Sequence, residues 1–62
     1  VIRILEDTAS RRVAVTQHGS RTTVHINDTP KDDRAWERVR LFERGDVRDI
    51  LIRRLADRGI HL

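Results

Sequence analysis

The 62-residue sequence has no cysteine, no methionine and no tyrosine, and holds one tryptophan, one phenylalanine and one proline. Without cysteine there is no disulfide to staple a small fold, no thiolate metal ligand and no thiol nucleophile. No apolar run approaches the ~20 residues of a membrane span, and no secretory h-region precedes a cleavage site. No membrane partner is therefore expected, and a cytoplasmic location is. The three glycines are isolated, so no glycine-rich phosphate loop is present. The chain opens at Val1 rather than Met, the form expected of an excised domain or a processed product. Its length allows one small domain that hides only ~60% of its unfolded surface.

What the chain has in quantity is arginine: twelve, against one lysine and ten acids, for a net charge of +3. A GC-rich genome encodes arginine readily, which is a sufficient cause by itself. The physical consequence holds either way, because the guanidinium is a planar fork of donors suited to phosphate and carboxylate. Residues 1–27 carry a net +2, residues 28–49 a net −1 and residues 50–62 a net +2. The excess thus sits at the two ends around a charge-balanced middle, as a patch and not a coat.

Three period-2 runs open the chain. In Val1–Glu6 (VIRILE), Ile2 and Ile4 alternate with Arg3. In Arg12–Gln17 (RVAVTQ), Val13 and Val15 oppose Arg12, Ala14 and Thr16. In Arg21–Asn27 (RTTVHIN), Thr22, Val24 and Ile26 oppose Arg21, Thr23 and His25. The connector His18-Gly19-Ser20 makes the last two a hairpin, and the set predicts three short strands, apolar on one face.

After Asp28 the periodicity reads as helical. Thr29 is placed to cap, Pro30 suits the first helical position, and Asp32 sits where a capping-box acid reaches back. At 100° per residue Ala35, Val39 and Phe42 fall within about 60°, with Trp36 beside them. This predicts an amphipathic helix to about Arg44, ended by Gly45. Asp46 then starts a second helix, with Val47, Leu51 and Leu55 as its stripe, Ile50 and Ile52 flanking, and Gly59 as terminator. The two stripes differ by roughly 120° on one wheel, which favours two helices over one continuous helix.

The expected fold is therefore α+β: a small three-stranded antiparallel sheet (1–27) followed by two helices (29–59) packed on one face. Val13, Val15, Val24, Ile26, Trp36, Val39, Phe42, Leu51 and Leu55 form the expected core. Three strands cannot cover the apolar surface of Val47, Ile50, Leu51, Ile52 and Leu55. Those five residues are the expected interface of a homodimer, the usual remedy for a short unstapled chain.

Catalytic and metal patterns are missing. His18, His25 and His61 are scattered, with no i, i+4 pair on a helix. Ser10 and Ser20 lack a nucleophile-elbow context. Asp32 and Asp33 are explained by a helix start, and Glu37 by pairing with Arg40 one turn on. Neither an enzyme, a cofactor nor a small-molecule substrate is expected.

The outward strand residues are the informative set. Arg12, Thr16, Arg21, Thr23 and His25 combine fixed cations with short hydroxyls, a composition suited to phosphates and base edges in a DNA groove. A polar outer face is also what any one-sided sheet needs. No aromatic residue is expected on that face, which favours duplex DNA over single strands or RNA. The expected function is a dimeric double-stranded DNA-binding module of regulator or partition type. The alternative is an oligomerisation or adaptor domain, or a small inhibitor of a protein partner, with no nucleic-acid binding.

In layout, Arg21–Asn27 (RTTVHIN), Thr29–Gly45 and Asp46–Leu55 (DVRDILIRRL) resemble the ribbon-helix-helix DNA-binding proteins. That resemblance covers about two-thirds of the chain. It implies an obligate dimer with an intermolecular ribbon in the major groove. Arg21, Thr23 and His25 would then read bases, and the amides near Val47 and Arg48 would hold a phosphate. Two features depart from the pattern: Asp46 would repel that phosphate, and 21–27 has an intrachain partner at 12–17. A three-stranded sheet with helix also resembles, in outline, the C-terminal dimerisation domains of plasmid partition proteins.

Overall fold

The computed structural model describes residues 1–41 and 45–62. Among these, four strands and one helix form: β1 (Ile2–Asp7), β2 (Arg12–His18), β3 (Arg21–Asn27), β4 (Trp36–Arg40) and α1 (Asp46–Asp57). The strands make one antiparallel sheet in sequence order. The expected three-stranded sheet with two helices is thereby corrected to a four-stranded meander and a single helix.

The first three strands follow their alternation. His18 pairs with Arg21 across a two-residue loop, and Gly19 stands at φ 62° in its first position. A type II′ hairpin turn needs a residue tolerant of positive φ there. A bulge at Leu5 interrupts the β1–β2 register between Ile4 and Glu6.

The segment expected to be the first helix is a loop and a strand instead. Thr29 and Asp32 close one turn (2.8 Å) and Asp32 and Ala35 a second (3.1 Å), with Pro30 in the favoured second position of the first turn. The Asp32 carboxylate accepts from the Arg34 amide at 2.9 Å. Asn27, fully buried, accepts from the Thr29 amide at 2.8 Å and donates to the Asp32 carbonyl at 3.1 Å. Such side-chain-to-backbone bonds offer the chain an alternative to helix. Trp36–Leu41 also fits period 2, and Val39 pairs with Val24 on β3. Completing the sheet edge decides between two patterns that a short run fits equally well.

The core lies between the inner sheet face and α1: Val13, Val15, Val24, Ile26, Leu41, Leu55 and Ile60, with Leu5, Val39, Leu51 and Ile52 packed against it. Trp36, expected in this core, lies outside it at 39% exposure, because its strand position faces away from the helix. Phe42 lies outside the described residues. Gly45 is the N-cap of α1 and not the end of an earlier helix.

Gly59, at φ 80°, ends α1. The Gly59 amide bonds the Ala56 carbonyl at 2.9 Å and the Ile60 amide the Leu55 carbonyl at 2.9 Å. This paired C-terminal motif folds Ile60 back into the core.

An ion cluster ties the C-terminal end of α1 to the sheet. Arg11 donates to Glu6 at 2.6 Å and to the Arg58 carbonyl at 2.7 Å. The Arg58 guanidinium takes Glu37 through both carboxylate oxygens at 3.2 Å, and Asp28 at 3.2 Å. Glu37 is thus paired with the end of α1 and not with Arg40 as one helical turn would have it.

Candidate nucleic-acid interface

Because α1 covers one face only, the other face of the sheet is open among the described residues except at Asn27, which is buried and bonded to the 28–35 loop. Strand register arranges that face in rows. Asp7, Arg12, Asn27 and Trp36 form the first. Ile4, Ala14, His25 and Arg38 form the second, and Ile2, Thr16, Thr23 and Arg40 the third. His18 and Arg21 close it at the hairpin. Adjacent strands lie ~4.8 Å apart, so the face spans roughly 14 Å from β1 to β4.

All five strand residues singled out from the sequence, Arg12, Thr16, Arg21, Thr23 and His25, stand on this face. The structure adds Trp36, Arg38 and Arg40 from β4, so the expectation of no aromatic residue on this face is corrected, and with it the ground that set single strands and RNA below duplex DNA. The alternation of these three with Glu37, Val39 and Leu41 was the signal for them, masked by the helical reading of 29–44.

The electrostatics are lopsided. These rows hold four arginines and one acid, Asp7. Their net charge equals the +3 of the whole chain, so the rest of the molecule is balanced. Arg12 pairs with Asp7 at 3.2 Å with both side chains largely exposed. Such a pair contributes little to stability. Arg38 and Arg40 make no ion pair or side-chain hydrogen bond among the described residues, and both are exposed.

His25 is half-buried, and its Nε2 shares a hydrogen bond of 2.9 Å with the Thr16 hydroxyl. Burial first, and then the positive charge of Arg38, hold its imidazole below the ordinary histidine range. It therefore presents a neutral ring at pH 7.

The helix residues fall elsewhere. Leu55 is buried within the chain at 2% exposure, and Leu51 and Ile52 pack against the core. Only Val47 and Ile50 of the five expected interface residues stay half exposed. Val39 of the fourth strand packs at the same core as Leu51 and Leu55. The start of α1, with Asp46 and Asp49 in its first turn, lies across the sheet from Arg21, Thr23 and His25. The amides near Val47 and Arg48 and those strand residues cannot share one contact surface.

Among the described residues no group of three histidines or acids could hold a metal ion, and no helix is long and apolar enough to cross a membrane. No family model matches the chain, and neither a curated protein nor a solved structure matches it.

Proposed function

We propose that this chain is a DNA-binding module working through the open face of its sheet. The observation that carries the reading is the coincidence of the chain's entire net charge with its one uncovered sheet face. Duplex DNA is the form proposed. The β2–β3 hairpin is the two-stranded ribbon at the centre of that face; with β1 and β4 beside it the sheet is wider than the ~12 Å major groove, so the ribbon lies across the mouth of the groove and not inside it. Arg12, Thr16, Arg21, Thr23 and His25 project from it toward base edges, and Arg38 and Arg40, one strand over, are placed for the flanking phosphates. The role is binding, with no catalytic step.

Fluorescence anisotropy of a labelled duplex over a salt series tests this. Affinity falls with a log–log slope of about −0.9 per phosphate neutralised. Arg38→Ala with Arg40→Ala shallows the slope by about 2 and weakens all sequences alike. Absence of binding to any duplex at low salt refutes the reading.

A second reading, a protein-interaction module, is favoured by one observation. Ile2 and Ile4, at 72% and 61% exposure, share this face with Trp36, and interfaces are enriched in Trp and Arg. Light scattering after size exclusion separates the two: a stable dimer whose formation hides DNA-binding competence supports the second.

A further inference from the structure

One end of the open face is not built for phosphate. Between β1 and the start of β4 a notch of about 280 Å³ is lined by Ile4, Ala14, Trp36, Arg12 and Asp7, together with the core residue Val13 and with Glu6, whose charge Arg11 offsets at 2.6 Å. Its floor is Ala14, the smallest side chain on the strands' outer face, which sits in register with Ile4. Trp36 lies one row away on β4, two strands from Arg12 through Asn27. Trp36, Arg12 and Ala14 line the notch together.

Beneath it, buried Asn27 anchors the 28–35 loop by its two hydrogen bonds and so sets where β4 and Trp36 begin. The walls are therefore an aliphatic side chain and an indole, the floor a methyl group, and the rim an exposed Arg12–Asp7 pair. That pair offers both donors and an acceptor. The volume falls just below the ~300–1,000 Å³ of pockets for drug-sized ligands, which suits a single planar ring.

The geometry points to a slot for one unpaired nucleobase, stacked on Trp36 above Ala14 with its polar edge at Arg12 and Asp7. This rests on the reading of the face as a DNA interface and extends it. The ribbon engages duplex while the slot takes a base that has already left it, at a frayed end or beside a gap. Three features support a nucleotide as occupant. The surrounding face is positive, which draws a phosphodiester. Arg12 is common to the ribbon and the slot. A base that is already unpaired does not incur the unstacking cost that flipping one from a duplex would.

The test compares a blunt duplex of about two helical turns (~20 bp) with the same duplex carrying a short unpaired thymine tail. Trp36 is the only tryptophan and there is no tyrosine, so intrinsic emission reports the slot alone. The tailed duplex is expected to bind about 5- to 150-fold more tightly, the range for stacking one base on an aromatic side chain, and to quench Trp36 emission. Ala14→Leu, which fills the floor, and Trp36→Ala each bring the tailed duplex down to the affinity of the blunt one, the two forms being compared within the same variant so that any change in blunt-duplex binding cancels. Trp36→Phe retains part of the tail's advantage. Should Ala14→Leu unfold, the exposed edge position Trp36 carries the comparison.

Equal affinity for tailed and blunt DNA with unchanged emission overturns the slot and leaves the DNA reading standing. Loss of binding to both forms overturns the DNA reading itself. An emission change that follows protein concentration without DNA assigns the notch to a second copy, which also overturns the proposal.

Discussion

Replacing Leu55 with alanine, beside replacing Ile50 with alanine, decides which face of α1 the chain buries for itself. Leu55 is 2% exposed among Val13, Val15, Val24, Ile26, Leu41 and Ile60, whereas Ile50, five residues earlier on the same helix, is 51% exposed. Truncating a buried leucine costs about 2–5 kcal/mol through lost transfer energy and the cavity left behind. Alanine's better helix propensity returns only a few tenths of that. At roughly 0.05–0.15 kcal/mol per residue, a domain of this length holds about 3–9 kcal/mol in all. Leu55→Ala should therefore remove about half of the folding free energy, and Ile50→Ala less than about 1 kcal/mol. Urea denaturation followed by far-UV circular dichroism measures both, with equal slopes showing that the same surface unfolds. A loss below about 1 kcal/mol for Leu55→Ala, with a larger one for Ile50→Ala, would refute intrachain packing. It would show instead that the Ile50 side of α1 is the one covered, by a second subunit.

Other expectations follow from particular contacts. Asn27→Ala removes both bonds to the 28–35 loop and should cost about 1–3 kcal/mol in thermal or urea unfolding, at about 0.5–1.5 kcal/mol for each part-buried hydrogen bond; Asn27→Ala as stable as the parent would refute that anchoring. The hydrogen bond from Arg11, with smaller help from Thr8, holds the Glu6 carboxyl below the usual carboxylate range against a modest opposing desolvation. A carboxylate with a depressed folded pKa stabilises fully above its unfolded pKa and loses that contribution as pH falls through the folded one. Stability should thus drop on acidification below the ordinary glutamate range, and Glu6→Gln should flatten that drop in a pH series of melting temperatures. His25 runs in the same direction: with its folded pKa depressed, its contribution is present above the ordinary histidine pKa and fades as pH falls toward the folded value, so His25→Gln should reduce the loss of stability near pH 6. The helical signal in circular dichroism should match the 12 residues of α1, about a fifth of the chain; a signal twice as large would restore a helix at 29–44.

How much of this was legible varies along the chain for a physical reason. β2 and β3 carry five or more residues of clean alternation around a two-residue glycine turn, and each local preference agrees with the sheet that forms. α1 likewise has its stripe at Val47, Leu51 and Leu55 and its stop at Gly59, all within one local segment. Between them, Thr29–Leu41 satisfies two descriptions. Its Thr-Pro-Lys-Asp start suits a helix cap or a pair of turns, and Val39 suits either period, with Ala35 and Phe42 on a helix or with Leu41 on one face of a strand. The candidate interface inherits that ambiguity. Its β2 and β3 half (Arg12, Thr16, Arg21, Thr23, His25) was readable, and its β4 half (Trp36, Arg38, Arg40) was not.

The scarcity of cysteine, glycine and aromatic residues, the +3 charge, the first three strands and the last helix were determined by the sequence alone, because each depends on composition or on neighbours within a few positions. The fourth strand was a tertiary decision. An open edge at β3, with Val24 and Ile26 half covered, is relieved by pairing with Trp36–Arg40, and no local preference records that gain. The same pairing turned the sole tryptophan from an expected core residue into an exposed one. It also brought Val39 beside Leu51 and Leu55 and added Arg38 and Arg40 to the positive face.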